Sequence, residues 1–242
     1  RYTIYTYLKY CGVRSLDYVF ISHPDKDHVN GIYELIELCD NTFEIGTVVL
    51  PGISRAAVVK KQADDDMSKL ERIFKNAGIN VVYADAGDCI KSGGFSVECM
   101  HPCKGYDYES ANDYSAVYLV EYGDFSMLMT GDAEKKAEKC IIEDVNSMTG
   151  DAGEPARLVS VNILKVGHHG SKGASSEEFL SYVKPETALI SCGAGNSYGH
   201  PHTQTLQRLS GIGAKVYRTD ESGEIAVRVR DGLYKIEVFK AL

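Results

Sequence analysis

The chain has 242 residues, of which 44% are hydrophobic and 25% are charged. This length and composition are ordinary for one soluble globular domain, and no apolar run approaches the roughly 20 residues that a membrane helix needs. The formal charge of −8 argues against a broad electrostatic hold on nucleic acid, which normally comes from many Lys and Arg side chains. The chain begins at Arg1 without a secretory signal pattern, so we expect a fragment whose targeting is not readable.

The predicted first half of the chain has the order helix, strand, helix, strand, helix. Gly12 ends the first helix and Gly78 ends the third. The run Asp64-Asp65-Asp66 interrupts the third helix, and we interpret it as a solvated N-terminal turn and not as a metal site. The predicted elements are helix 3–11, strand 16–22, helix 28–39, strand 47–50 and helix 56–77.

From Val81 the pattern changes to short strands with hairpin turns at 92–94 and 123–124, which predict antiparallel pairing. Because both kinds of element are present and strands outnumber helices, we predict an α/β (α+β) protein with a two-sheet core and helices outside. The predicted elements are strands 81–83, 89–91, 95–100, 116–122 and 125–130, helix 133–146, loop 147–156, strand 158–166, helix 176–183, strand 187–191, helix 203–210, and strands 215–217, 224–229 and 233–239.

The cysteines are scattered along the chain and contain no Cys-x-x-Cys pair. An odd number without paired spacing is typical of reduced, buried cysteines and not of a disulfide framework or a zinc ribbon. Cys99 and Cys103 flank His101, but we interpret them as packing residues. Reduced cysteines favour a cytoplasmic location. The seven are Cys11, Cys39, Cys89, Cys99, Cys103, Cys140 and Cys192.

A dense group of metal-ligating residue types follows the first predicted strand. His23, Asp25, Asp27 and His28 lie within six consecutive residues, at the point where an extended segment turns into a helix. A single tetrahedral zinc rarely takes all its ligands from so short a segment, so the spacing favours a pair of ions. The alternative is a solvated turn in which Asp27 caps a helix near His28 and His23 is a surface residue.

Further candidate ligands follow other predicted strands, and all seven histidines belong to these groups. Each one alone has a structural alternative: His101 as a packed core residue, Asp132 as a helix N-cap, His200 and His202 as loop residues. Their joint restriction to strand ends indicates a metal site. The residues are His101, Asp132 in Thr130-Gly131-Asp132, His168 and His169 in His168-His169-Gly170-Ser171, and His200 and His202.

The ordered set His23-x-Asp25-x-Asp27-His28, His101, Gly131-Asp132 and 168–171 resembles the metallo-β-lactamase superfamily. With the segment 164–171 and the late Asn196-x-x-Gly199-His200-Pro201, it is more closely similar to the hydrolase domain at the C-terminus of ComEC competence proteins, which take up DNA, and also to phosphorylcholine esterases. The resemblance implies a four-layer αββα sandwich over residues 1–242 as one domain. Its usual first strands are absent here, or come from another chain.

The resemblance also implies a two-metal site and a role for each matching residue. His23, Asp25 and His101 would hold one ion, Asp27, His28 and His169 the other, and Asp132 would bridge them. Asp27 and His168 are the implied catalytic residues, with His168 contacting a substrate oxygen or assisting the leaving group. The implied substrate-binding residues are His200, His202, Ser171 and Asn196. Because Asp25 stands where a histidine is commonest, Mn²⁺ competes with Zn²⁺ as the metal.

We therefore predict a metal-dependent phosphodiesterase or nuclease in which a hydroxide held between the two ions attacks phosphorus, with single-stranded DNA as a candidate substrate. The loop 104–114, with Tyr106, Tyr108, Asn112 and Tyr114, would form part of the pocket rim and stack on a base. The alternative is a mobile aromatic loop without a function. One alternative is hydrolysis of a lactam, lactone or thioester. Another is a metal-holding module of a membrane DNA-uptake assembly with weak turnover. The sequence does not predict the oligomeric state. It does not predict the side of a membrane that the domain faces either, because the competence-protein resemblance favours the side opposite to the cytoplasm, which reduced cysteines favour.

Overall fold

The computed structural model describes residues 3–38, 43–52, 62–103, 112–147 and 160–239. Its helices are α1 (Thr3–Tyr10), α2 (Lys26–Leu38), α3 (Gln62–Asn76), α4 (Lys135–Ser147), α5 (Glu177–Val183), α6 (Thr203–Gly211) and α7 (Thr219–Ser222). Its strands are β1 (Ser15–Phe20), β2 (Glu44–Pro51), β3 (Asn80–Ala84), β4 (Cys89–Ser92), β5 (Phe95–His101), β6 (Val117–Tyr122), β7 (Phe125–Met129), β8 (Ile163–Lys165), β9 (Thr187–Ile190), β10 (Lys215–Arg218), β11 (Glu224–Arg230) and β12 (Leu233–Phe239). Short 3₁₀ turns cover Asn112–Tyr114 and Gly167–Gly170.

The strands form three sheets. A first sheet has the parallel order β1-β2-β3, and a second sheet has the order β10-β9-β8-β7-β6-β5-β4. The second sheet is antiparallel from β4 to β7 and parallel from β7 to β10. β11 and β12 form a separate antiparallel hairpin. The tight turns predicted from the glycines at 92–94 and 123–124 are confirmed.

Alternation along the strands divides the core into layers. On one face of the second sheet, Leu128 and Leu164 pack with α4, α5 and α6. On its opposite face, Tyr118 packs against Val49 of the first sheet, and Ile163 packs against the β11–β12 hairpin. The other face of the first sheet packs on α2 and α3. The predicted four-layer arrangement, two helical layers around two sheets, is therefore confirmed.

This topology brings several strand ends to one place. β5, β7, β8 and β9 run in the same direction, so their carboxyl ends share one edge of the second sheet. The carboxyl end of β1 meets this edge, since Ser22 O accepts a 2.7 Å hydrogen bond from Ala116 N. Every predicted metal ligand follows or ends one of these strands or lies in the adjoining turn. The fold therefore gathers residues that are far apart in the sequence.

Some predicted boundaries differ from the structure. The second helix begins at Lys26 instead of His28, because Asp25 O already accepts hydrogen bonds from His28 N and Val29 N. The strand predicted over 158–166 is regular only over Ile163–Lys165. Residues 56–61 of the predicted third helix, 104–111 of the predicted rim loop and 148–156 of the predicted Gly/Pro loop lie outside the described residues.

The prediction that all cysteines are reduced is wrong. Cys103, just after β5, and Cys140, on α4, form a disulfide. Thirty-seven positions separate them, so sequence spacing gave no signal of the pair. Both are buried, as expected of packing residues, whereas Cys11 and Cys89 are exposed. The inference of a reducing compartment loses its basis, because a disulfide persists mainly in oxidising environments.

Within the described ranges, no helix has both the length and the apolar character needed to cross a membrane.

Candidate metal centre

The segment between β1 and α2 carries four candidate ligands. His23 is fully buried, His28 is half-buried, and Asp25 and Asp27 are exposed. Asp27 and His28 lie in the first turn of α2. The alternative interpretation, in which His23 is a surface residue beside a solvated turn, is wrong, because His23 is packed beneath the loop.

Asp132 lies at the centre of the site. Its carboxylate is buried and has imidazole nitrogens within 4 Å from the β1–α2 segment and from the loop after β8. The nearest is His28 Nε2, which is 3.2 Å from Oδ1. The other distances are 3.7 Å from Oδ2 to His23 Nε2, 3.7 Å from Oδ2 to His168 Nε2, and 3.8 Å from Oδ1 to His169 Nε2.

A second group of ligand atoms adjoins the first and shares His28 with it. His169 Nε2 is 3.3 Å from His28 Nε2 and 3.1 Å from Asp27 Oδ2. Asp25 Oδ2 is 3.8 Å from His23 Nε2. Two sets of ligand atoms each fit within 4.8 Å: those of His23, His28 and Asp132, and those of Asp27, His28 and His169. The structure thus brings six of the predicted ligands together: His23, Asp25, Asp27, His28, Asp132 and His169. Among the described residues, His101 belongs to neither set.

His101 lies fully buried at the end of β5. Its Nδ1 is 2.9 Å from Ser115 O, and its carbonyl oxygen accepts a hydrogen bond from Cys99 Sγ. A ligand atom of His101 also lies within 4.8 Å of the sulfurs of Cys103 and Cys140, but those sulfurs are bonded to each other. Burial lowers the pKa of His101 to about 4, so the ring is neutral at pH 7.

The histidines of the site are oriented through their outer nitrogens. Nδ1 of His169 is 2.7 Å from Ser191 O, and Ser22 Oγ is 3.1 Å from Nδ1 of His23 and 3.5 Å from Nδ1 of His28. Metal-ligating histidines usually have such a partner, which fixes the ring and leaves the other nitrogen for the ion. Among the described residues, the buried His23 Nε2 has no hydrogen-bond partner. The residues therefore fit a bound metal.

The electrostatics of the site also favour ligation. Burial lowers the pKa of His23 to about 4, so this ring is neutral and its Nε2 lone pair is free to bind an ion. Burial acts to raise the pKa of Asp132, but the hydrogen bond from His28 and the charges of His28, His23 and His168 together outweigh it and lower the pKa to about 2. An ionised carboxylate beside imidazole nitrogens is a donor set that divalent ions bind.

The loop after β8 carries two consecutive histidines with left-handed backbones. His168 has φ 46° and ψ 48°, and His169 has φ 53° and ψ 21°. Non-glycine residues seldom adopt this region, and such strain persists only where surrounding contacts enforce it. Here His168 N donates to Gly131 O and Ser171 N donates to His168 O. The loop is thus attached to the Thr-Gly-Asp turn that carries Asp132.

A hydrogen-bond network beneath this loop holds the following turn. The Arg208 guanidinium donates to the carbonyl oxygens of Lys172, Ala174 and Ser175. The buried Glu138 carboxylate accepts from Ser175 N and from Ser176 N. These residues contact backbone rather than candidate ligands, so we assign them a supporting role.

Glu134 is a functional candidate that the sequence analysis missed. Its Oε1 is 2.9 Å from His168 Nδ1 and accepts a 3.4 Å hydrogen bond from Ser171 Oγ. The hydrogen bond between Glu134 and His168 lowers the pKa of Glu134 and raises the pKa of His168. The sequence signal that could have identified Glu134 is its position two residues after Asp132, just before α4. This spacing of two carboxylates is the same as that of Asp25 and Asp27.

Gly131 allows Asp132 to reach the centre of the site. It has φ +51°, and a Cβ there would lie 2.8 Å from Ser22 Cβ and 3.1 Å from Ser115 Cβ. Ser115 Oγ in turn accepts a hydrogen bond from Asp132 N. The turn therefore needs glycine both for its conformation and for the close approach of β1 and β6.

The residues predicted to bind substrate have different surroundings. Ser171 is buried with its hydroxyl against Glu134. The Asn196 side chain accepts from His200 N and donates to His200 O, so it shapes its own loop. His200 lies beside His168, with ring centroids 5.6 Å apart, and His202 Nδ1 accepts from Lys172 N. A substrate contact stays a prediction for all four, and His200 has the most suitable position.

The predicted aromatic rim is only partly described. Tyr106 and Tyr108 lie outside the described residues. Tyr114 is buried with 2% exposure, so the expectation that it lines the rim and stacks on a base is wrong. Asn112 approaches the site, with Nδ2 3.4 Å from His168 Nδ1.

A cavity of about 860 Å³ extends from the site between the two sheets. His28, Ser22 and Gly131 line the end near the site, and apolar side chains such as Phe20 and Tyr118 line the rest. Lys165 also lines the cavity, and its Nζ donates a 2.8 Å hydrogen bond to Val166 O.

The fold and the ligand set define a protein of the metallo-β-lactamase fold. The solved metallo-β-lactamase fold protein YhfI from Bacillus subtilis matches 97% of this chain and 82% of its own, with a TM-score of 0.53 and 9% identity. CmlA, a diiron β-hydroxylase from Streptomyces venezuelae, matches 85% of this chain and 44% of its own, with a TM-score of 0.56 and 14% identity. At these identities the likeness concerns the fold alone.

Sequence relatives make the assignment more particular. ComE operon protein 3 of Bacillus subtilis is 29% identical over 228 residues, covering 94% of this chain and 26% of that protein. Recombination protein 2 of Haemophilus influenzae is 30% identical over 225 residues, which cover 93% of this chain and 24% of that protein. Competence protein ComA of Neisseria gonorrhoeae is 30% identical over 222 residues, which cover 90% of this chain and 26% of that protein. These homologues are ComEC-family proteins, so the resemblance predicted from the motifs is confirmed.

The chain spans about a quarter of the length of these relatives. No family model matches the chain.

We expect Gly131→Ala to destabilise the protein and weaken metal binding. An alanine at φ +51° costs about 1 kcal/mol, and its Cβ would also collide with Ser22. Gly93→Ala is the matched control, since Gly93 has φ +56° and nothing within 4 Å of its added Cβ. Thermal unfolding and metal titration of both variants make the comparison. Equal losses of stability in the two variants would contradict the close-packing argument.

Proposed function

We propose that the chain is a metal-dependent hydrolase that cleaves phosphodiester bonds in nucleic acid. The observation that carries the proposal is the pair of adjoining ligand groups, one at Asp132 and one at Asp27, with His28 common to both. Two-metal sites of this kind serve in-line displacement at phosphorus in phosphatases and nucleases. The proposal includes the roles predicted from the sequence: catalysis by Asp27 and His168, and substrate binding by Ser171, Asn196, His200 and His202.

The ligand set supports a pair of divalent ions. Asp25, Asp27 and Asp132 contribute carboxylates, and the histidines contribute imidazoles whose outer nitrogens are already held. Carboxylate oxygens suit Mn²⁺, and imidazoles suit Zn²⁺, so we propose that either ion binds. When bound, the ions would activate water and offset the charge that develops on the phosphate. Asp132 lies between the two groups, and its carboxylate would bind both ions.

His168 and Glu134 form the acid of the proposed reaction. His168 Nε2 faces the site, 3.7 Å from Asp132 Oδ2, while its Nδ1 is held by Glu134 at 2.9 Å. A carboxylate on the outer nitrogen keeps the ring oriented and stabilises its protonated form. We propose that His168 donates a proton from Nε2 to the departing oxygen. Glu134 positions the ring and does not itself contact substrate.

The relatives support a nucleic acid substrate over a lactam, lactone or thioester. Their names place them in competence and recombination, and the chain aligns with them over nearly its whole length. Since the relatives are about four times longer, we propose that this hydrolase operates as part of a larger DNA-uptake protein.

The direct test is hydrolysis of a linear single-stranded oligonucleotide with added Mn²⁺ or Zn²⁺. We expect metal-dependent cleavage by the wild-type chain and none above the metal-only background by Asp132→Ala, because the substitution removes the ligand between the two groups. Asp124→Ala, an exposed aspartate at the β6–β7 turn, is the control and should cleave normally. Normal cleavage by a folded Asp132→Ala variant would remove the proposal, and binding without cleavage by the wild type would favour a DNA-holding module.

Replacing Glu134 tests the acid. We expect Glu134→Gln to lower kcat about 10²-fold on the oligonucleotide, because the alkoxide leaving group needs the proton that His168 supplies. The loss should be less than about tenfold on bis(p-nitrophenyl) phosphate, since nitrophenolate leaves without protonation. Glu143→Gln, at an exposed position of α4, serves as the control. If both substrates lose the same factor, Glu134 has only a structural role.

A further inference from the structure

An exposed aromatic side chain stands beside the proposed site. Tyr198 lies in the loop between β9 and α6 and is 77% exposed. Its ring lies over His200 at a centroid distance of 5.7 Å and an interplanar angle of 23°. His200 in turn lies over His169 at 6.3 Å and 22°. Three nearly parallel rings therefore lead from the candidate ligand His169 to the surface.

The loop that presents Tyr198 is fixed by local hydrogen bonds. Asn196 Oδ1 accepts from His200 N at 3.0 Å, and its Nδ2 donates to His200 O and to Gly193 O. The next residue, Pro201, packs so closely on Gly170 that a Cβ at Gly170 would lie 2.5 Å from Pro201 Cβ. The backbone around Tyr198 is thus fixed before any ligand arrives, which lowers the entropic cost of binding.

Isolated exposed tyrosines are common and need no explanation. Tyr198 differs from such residues because its ring continues a stack that begins at a candidate ligand. Its remaining face is a flat, amphipathic surface of the kind on which nucleobases stack. Tyr114, the described tyrosine of the rim loop, cannot serve in this way because it is buried.

We propose that Tyr198, stacked on His200, is the platform for an unpaired nucleobase next to the phosphodiester that is cleaved. This inference rests on the proposed function and narrows its substrate to single-stranded nucleic acid. Stacking accepts any base, so we expect little sequence preference. It also binds without a broad basic surface, which agrees with the formal charge of −8.

A quaternary ammonium group is the main other ligand for an exposed aromatic ring. The neighbours of His200 disfavour it. The rings of His168 and His202 lie 5.6 Å and 5.0 Å from His200, and no carboxylate among the described residues is hydrogen-bonded to Tyr198 or His200. A cation would there face imidazoles and the proposed metal ions, whereas a neutral base has no such repulsion.

The test measures binding instead of turnover. A fluorescently labelled thymidine 12-mer with phosphorothioate linkages, which resist hydrolysis, is compared with a wholly abasic 12-mer of the same backbone in Mn²⁺. We expect the wild type to bind the thymidine oligonucleotide at least about tenfold more tightly. In Tyr198→Leu this preference should fall about tenfold, and in Tyr198→Phe, which keeps the ring, it should persist.

Tyr10→Leu is the matched control, since Tyr10 is 87% exposed on α1, and it should keep the wild-type preference. The platform is overturned if the wild type binds neither oligonucleotide, binds both equally, or keeps its preference in Tyr198→Leu. Cleavage of an ordinary oligonucleotide is measured in parallel. A base preference that depends on Tyr198, without any cleavage, would support the platform and contradict the hydrolase. Metal-dependent cleavage without such a preference would support the hydrolase and contradict the platform.

Discussion

The buried carboxylate of Asp132 is the constraint on which the rest of the site depends. A carboxylate removed from water must be compensated, and here imidazoles surround it from the β1 loop and from the β8 loop. The compensation is sufficient to hold its pKa at about 2 despite burial. Because these imidazoles come from opposite halves of the chain, the ion-binding groups exist only when both sheets are in place.

Bringing the loops together has a cost in backbone conformation. Gly131, His168 and His169 all adopt positive φ, and the two histidines are residues that rarely do so. The hydrogen bond from His168 N to Gly131 O joins the strained segments, and the network around Arg208 and Glu138 holds the turn that follows. Bound ions would offset the remaining cost, since metal binding stabilises the state that presents its ligands.

The hydrophobic pattern predicted a two-sheet core with helices outside, and His and Asp at strand ends predicted a group of candidate ligands. The four-layer arrangement and the assignment of each ligand were implied by the family resemblance. The sequence could not predict contacts that depend on tertiary distance. The Cys103–Cys140 bond joins β5 to α4 without a spacing signal. Glu134 was not singled out from the sequence, because only its distance to His168 marks it. The burial of Tyr114 reverses what the composition of its loop suggested.

The two-metal centre can be tested by anomalous diffraction at the manganese edge from crystals of the wild-type chain grown with Mn²⁺. We expect two peaks on either side of the Asp132 carboxylate, about 3.5–4 Å apart, one near His23 and one near His169. A single peak, or manganese bound away from Asp132, would contradict the two-metal centre. The chemistry proposed for His168 and Glu134 would then need another basis.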